Sequence, residues 1–149
     1  DPQGNATMGS GVDKRAMALS VYDVLLESAS VAEAATVPDK LKEAGAGYAV
    51  LGANRELAGA EVELVGEERR ERRLKDALAA VSADYDFVLI DCPPSLSMLT
   101  LNGLCAAQGV IVPMQCEYFA LEGLADLTNT IKQVHANLNR DLRLSACCA

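Results

Sequence analysis

Tyr85-Asp86-Phe87-Val88-Leu89-Ile90-Asp91-Cys92-Pro93-Pro94-Ser95 is the stretch that decides how the rest of the chain is read. Phe87 to Ile90 is an unbroken apolar run, the pattern of a strand covered on both faces in a parallel sheet. Asp91 follows at once. Pro93 and Pro94 then forbid further ladder pairing and turn the chain. An acid is therefore expected at the carboxyl edge of a central strand, where open α/β sheets bind ligands. An Asp in that place either caps the turn that follows or stands on the magnesium side of a nucleotide site, as in a Walker B motif.

Outward from this run, the chain alternates strands and helices. Upstream, Tyr48-Ala49-Val50-Leu51 reads as a strand ended by Gly52. Asn54 then caps a helix from Glu56 to about Val65 with Leu57, Ala60, Leu64 and Val65 on its apolar face. A second helix is expected from about Glu67 to Val81. Its opening Glu67-Glu68-Arg69-Arg70-Glu71-Arg72-Arg73 alternates in sign, with Glu68 and Arg72 spaced for an i,i+4 pair, as on a solvated helix face. Downstream, Ser97 to about Gln108 reads as a helix and Gly109 to Met114 as a second buried strand. Leu121 to about Leu138 reads as a long helix facing the core through Leu121, Leu124, Leu127, Ile131, Val134 and Leu138. Leu142-Arg143-Leu144 starts a further strand. This alternation predicts βαβ units and an α/β fold, a mostly parallel sheet with helices on both faces.

The first fifty residues carry a weaker pattern. Asp1-Pro2-Gln3-Gly4-Asn5-Ala6-Thr7 is turn chemistry, because Pro fixes φ while Gly and Asn tolerate φ > 0. Met8 to Asp13 is expected to remain loop. Ser20 and Asp23 are spaced as a capping box before Val21-Tyr22-Asp23-Val24-Leu25-Leu26. Short helical turns are expected at Val31–Ala35 and near Lys40–Ala44.

Composition narrows the function classes. The 149 residues are half apolar with few aromatics, and carry a net charge of −8. One domain is expected, with a core of Ala, Leu and Val. An acidic surface opposes nonspecific binding to DNA or anionic membranes unless basic residues cluster locally. No run approaches the roughly 20 apolar residues of a bilayer span. The five cysteines are odd in number and form no C-x-x-C pair, so neither a zinc site nor a disulfide framework is expected. His135, set between apolar positions of the long helix, reads as a surface or half-buried residue rather than a catalytic one.

Asp1-Pro2-Gln3-Gly4-Asn5-Ala6-Thr7 followed by Val88-Leu89-Ile90-Asp91-Cys92-Pro93-Pro94-Ser95-Leu96 resembles the ParA/Soj family of partitioning ATPases, of the deviant-Walker, MinD-like P-loop group. Ala53-Asn54-Arg55-Glu56-Leu57-Ala58-Gly59-Ala60-Glu61, Leu99-Thr100-Leu101-Asn102 and Val112 to Leu124 are similar to further family segments. The likeness runs to about Ser145 and implies a P-loop NTPase-like fold and a mechanism. ATP with Mg2+ is held in a sandwich homodimer. The dimer binds DNA nonspecifically, and a ParB-type centromere-binding protein stimulates hydrolysis.

Residue by residue, the resemblance implies that Asp1 positions the attacking water and that Asp91 holds magnesium, usually through a water. It implies a γ-phosphate-sensing loop of Gln3, Gly4, Asn5 and Thr7. Pro93 and Pro94 shape the turn after the acid. Gln115, Glu117 and Tyr118 fall near the nucleotide edge or the dimer face, although Tyr118 would serve equally to close a loop over the sheet. A cytoplasmic, nucleoid-associated protein without membrane attachment is implied.

The family's K-G-G-V-G-K-T phosphate loop and its strand have no counterpart among these residues. The 149 residues are accordingly read as a single partial domain of a longer protein, inactive alone and with apolar surface exposed. Two alternatives stand beside the partitioning ATPase. One is another MinD-like ATPase that positions division sites, flagella or cellulose synthase. The other is a non-catalytic α/β interaction fragment.

Overall fold

A computed structural model describes residues 1–43, 47–93, 95–114 and 120–148. Its elements run α1 (Asn5–Gly9), α2 (Val21–Leu25), α3 (Val31–Ala34), β1 (Ala35–Thr36), α4 (Asp39–Glu43) and β2 (Val50–Leu51). They continue with α5 (Leu57–Glu63), α6 (Arg73–Ala79), α7 (Met98–Ala106), β3 (Gly109–Met114), α8 (Ala120–Asn137) and β4 (Arg143–Cys148). The α/β alternation expected of the sequence is present. Its sheets are smaller than expected.

The clearest unit is β3-α8-β4. The two strands pair in parallel, with Gly109 opposite Arg143 and Met114 opposite Cys148. The intervening α8 is amphipathic, and Ile131 and Val134 are buried against Leu104, Cys105 and Leu142. Leu127 packs at the edge of the same cluster. Leu138 lies past the helix end and is exposed, contrary to expectation. The side chains of Leu121 and Leu124 lie outside the described residues. β3 is also less buried than its composition suggests. Val110 packs on the core while Ile111 is 66% exposed, so only one face of the strand is covered.

Phe87 to Ile90 departs furthest from expectation. The run forms no ladder among the described residues, and Phe87 and Leu89 are 88% and 89% exposed. A parallel strand needs neighbours to satisfy its amides and carbonyls and to cover its side chains. β3 pairs with β4, and β2 pairs antiparallel with β1; among the described residues neither sheet extends to this run. Only Ile90 reaches the packed layer, against the cluster of Leu25, Leu57, Ala60, Leu64, Leu74 and Leu99.

Local signals fared better than long-range ones. Ser20 Oγ accepts from the Tyr22 amide at 3.2 Å, and the Asp23 carboxylate accepts from the Ser20 amide at 2.8 Å, forming the expected box. A second box, Ser30 with Glu33, starts α3. The Ser-x-x-Glu spacing was its signal. Asn54 Oδ1 accepts from the Glu56 amide at 3.0 Å ahead of α5.

The helix expected from Glu67 begins only at Arg73, after a 3-10 turn at Arg70–Arg72. Arg69 has φ 54°, so no helical register joins Glu68 to Arg72 and that pair does not form. Arg73, with a side chain only 12% exposed, instead bridges Glu27 at 2.7 Å and Glu67 at 2.8 Å. Residues expected as turn and loop, Asn5 to Gly9, form the single-turn helix α1.

Candidate functional site

The site is built where two loops meet. The first runs from Asp1 to Gly11 and the second follows Ile90. The amino group of Asp1 donates to the Asp91 carbonyl at 3.0 Å, a contact across 90 positions of sequence. The Asp1 carboxylate turns back and accepts from the Gln3 amide at 2.9 Å. Gly4 donates its amide to the Asp1 carbonyl at 3.0 Å, closing the turn. Gly4 sits at φ 65°, and a Cβ there would collide with the Ala53 carbonyl oxygen. A turn that must reverse sharply while resting on backbone leaves only glycine.

Beyond Gly4 the loop winds into α1. Asn5 stays exposed and donates to Gln3 Oε1 at 3.2 Å. Lys14 Nζ donates to the Gln3 carbonyl. Thr7 differs from its neighbours. It is 4% exposed, and its hydroxyl oxygen accepts from the Ala53 amide at 2.9 Å. The expected sensing residues therefore divide, with Gln3 and Asn5 outward and Thr7 inward.

The turn after the apolar run brings Pro93 and Ser95 to the same place. A recess of about 250 Å³ is lined by Asp1, Gln3, Pro93 and Ser95, with Ala58 and Glu61 of α5 opposite. Asp91 is exposed, and its carboxylate takes no hydrogen bond among the described residues. No group of three or more His, Cys, Asp or Glu residues among them could cage a metal ion directly. A single open carboxylate suits magnesium held through a water, since that ion keeps several waters in nucleotide sites. Asp91 would hold it there, and the ion would supply positive charge for phosphate oxygens.

Cys92 is solvent-exposed as a residue, yet its sulfur packs on Gly103, where a Cβ would approach Sγ to 2.7 Å. Burial of that sulfur pushes the thiol up from its ordinary pKa. The Asp91 carboxylate adds to the shift. The thiol is therefore held neutral, in keeping with a packing role.

A larger cavity of about 570 Å³ opens beside the site. Its wall is mainly apolar, formed by Leu25, Leu74, Leu78 and Leu99 on one side and Phe87 to Ile90 on the other. Asn102, 1% exposed, lies in its lining and fixes the helices around it. Its Oδ1 accepts from the Leu74 amide at 3.1 Å, and its Nδ2 donates to the Arg70 and Met98 carbonyls at 2.8 and 3.1 Å. Sequence patterning gave Asn102 no such role, because a polar residue on a buried helix face breaks the apolar period. Pro94, Gln115, Glu117 and Tyr118, also expected at the site, lie outside the described residues.

Comparison with known proteins places this geometry in context. A family model described as an AAA domain matches residues 1–144. The chain is 49% identical over 146 residues to the sporulation initiation inhibitor protein Soj of Bacillus subtilis, covering 97% of the chain and 55% of Soj. It is 47% identical over 144 residues to the chromosome partitioning protein ParA of Myxococcus xanthus, covering 97% of the chain and 49% of that protein. The chain thus spans about half the length of the curated relatives it matches. Among solved structures it is similar to cobyrinic acid a,c-diamide synthase from Mycobacterium smegmatis with bound ATP analog and magnesium. That match has a TM-score of 0.91 at 44% identity and covers 99% of this chain and 59% of the other.

Proposed function

Since the chain belongs to the AAA domain family whose model spans residues 1–144, we propose that it is part of a partitioning ATPase of the ParA/Soj kind. The observation that carries this reading is the meeting of the two loops, where the Asp1 backbone nitrogen lies 3.0 Å from the Asp91 carbonyl oxygen. It joins two loops whose acids have the separate duties that phosphoryl transfer demands, one aligning water and one holding the metal. The identity to Soj and ParA over the same residues supports it. So does a similar structure that carries an ATP analog and magnesium.

In this proposal Asp1 orients the attacking water and Asp91 holds magnesium through a water. Gln3, Gly4 and Asn5 form the loop that meets the γ-phosphate, with Pro93 and Pro94 fixing the turn beneath it. Gln115, Glu117 and Tyr118 belong to the nucleotide edge or the dimer face. The complete protein dimerises on ATP, binds DNA without sequence preference and is stimulated by a ParB-type partner. It acts in the cytoplasm on the nucleoid. The 149 residues form one partial domain. They contain no Gly-rich loop bearing the phosphate-binding Lys, so they do not hydrolyse ATP alone.

The test uses the full-length product of the coding sequence. Hydrolysis of Mg-ATP is expected to rise with DNA and a centromere-binding partner, and Asp91→Asn is expected to lower it at least about tenfold. Hydrolysis that ignores both additions would sink the partitioning role. Calorimetric titration of the 149-residue chain with Mg-ATP should show no submicromolar binding.

A further inference from the structure

We infer that Thr7 is a positioning residue. Its hydroxyl latches the Asp1–Gly11 loop onto the segment Gly52-Ala53-Asn54 and so sets where the Asp1 carboxylate stands relative to Asp91. The inference rests on the ATPase reading above and gives Thr7 a different task from Gln3 and Asn5, which face outward.

The geometry isolates this residue. Thr7 Oγ1 is the partner of the Ala53 amide, at 2.9 Å, inside a buried contact. Ala53 is itself only 8% exposed, so water cannot readily replace the hydroxyl. The methyl of Thr7 faces Gly52, where a Cβ would lie 3.2 Å from Cγ2 and would strike the sulfur of Met17. Gly52 also gives its carbonyl to the Val21 amide at 2.8 Å, fixing this segment to the start of α2. The loop thus rests on an anchored support. Gly4 lies against the Ala53 carbonyl and Thr7 holds the Ala53 amide, gripping one residue from both sides.

Only the turn from Asp1 to Gly4 separates this grip from the Asp1 carboxylate. Releasing the latch lets that turn ride away from Asp91 without removing any group from the recess. Sub-ångström placement governs the rate of a positioned water far more than it governs binding of a nucleotide held by many contacts.

The experiment compares Thr7→Val, which keeps the shape and removes the hydroxyl, with Thr7→Ser, which keeps the hydroxyl, in the full-length product. Thr7→Val should lower kcat for Mg-ATP hydrolysis about tenfold while the KM for ATP stays within about twofold. Thr7→Ser should recover kcat to within about threefold of the parent. Amide hydrogen exchange, read in parallel, should show protection at Ala53 lost in Thr7→Val and kept in Thr7→Ser. A rise in KM with kcat unchanged would make Thr7 a nucleotide contact and overturn the inference. A loss confined to Thr7→Ser would assign the effect to the methyl, and equal losses in both variants would show that the hydroxyl alone does not sustain kcat; either result would overturn it too. Unchanged Ala53 protection in Thr7→Val would overturn the latch itself. A parent protein that hydrolyses no ATP while the Ala53 exchange behaves as expected would sink the ATPase reading instead.

Discussion

Two apolar runs of nearly the same composition meet opposite fates in this molecule. Gly109-Val110-Ile111-Val112-Pro113-Met114 becomes β3, paired along its length with β4 and packed on one face. Among the described residues Phe87-Val88-Leu89-Ile90 makes no ladder, and the side chains of Phe87 and Leu89 stand almost wholly in solvent. Both are apolar, and each has a proline at or just beyond its carboxyl end, Pro113 within the first and Pro93 after the second. The difference lies in what surrounds them. β3 has a helix to cover it, a strand to pair with, and Asn139 to fix its entry. Asn139 is 4% exposed, and its Nδ2 donates to the carbonyls of Leu104, Cys105 and Ala107 at 2.9, 3.1 and 2.7 Å. The run at Phe87 has no equivalent among the described residues. An apolar run states a demand for burial, and partners elsewhere in the chain decide whether it is met.

The comparison is most sharply tested at Asn139. Asn139→Ala removes the two N–H donors shared among two buried carbonyls and a half-buried one, and should destabilise the β3-α8-β4 unit by about 2 kcal/mol in denaturant unfolding. A loss below about 1 kcal/mol would mean that β3 does not depend on this clamp.

Gly4→Ala comes next. The positive φ and the collision with the Ala53 carbonyl should together cost about 2 kcal/mol. The loss should be accompanied by weaker exchange protection at the Thr7-bonded Ala53 amide. An unchanged melting temperature would show that the first loop is free to move off its support.

A paired truncation compares the two runs directly. Val110→Ala, at a packed position, should cost about 1 kcal/mol. Phe87→Ala should stay within about 0.5 kcal/mol, although a buried phenylalanine would cost roughly 3–5 kcal/mol. A large loss at Phe87 would mean that the run is covered in solution, by this chain or by another copy. Gel filtration separates those cases, because Phe87→Glu with Leu89→Lys should shift any self-associated species to a smaller size.

The smallest expected effect is at the second capping box. The Ser30 hydroxyl and the Ser30 amide hold the Glu33 carboxyl below the usual carboxylate range. A lowered folded pKa favours the ionised form. Its contribution is therefore present above the ordinary carboxylate pKa and is lost as pH falls through the folded value. Glu33→Gln should lower stability slightly at neutral pH, where that contribution is present, and flatten that part of the acid-unfolding profile. An identical acid limb in the variant would show that the box adds nothing.

Sequence alone determined several features that depend on neighbours within a turn or two, though not the helix expected from Glu67 or the turn of α1. The Ser20–Asp23 box, the βαβ order around α8 and the start of β3 at Gly109 follow from side chains that satisfy nearby amides and from helical or alternating periods, whereas Asn54 makes a turn ahead of α5 and does not cap it. The two site motifs were picked out through the family resemblance, since the Pro-Gln-Gly-Asn turn is ordinary by its residue types alone. Only the tertiary structure decided which demands are met across the chain. It brought the amino group of Asp1 to Asp91, turned Thr7 inward to Ala53, and set Asn102 and Asn139 as buried clamps. It also denied Phe87 to Ile90 a ladder. The physical reason is the same in each case. A buried polar group or a strand edge is satisfied by a partner dozens of residues away, and no local pattern encodes whether that partner arrives.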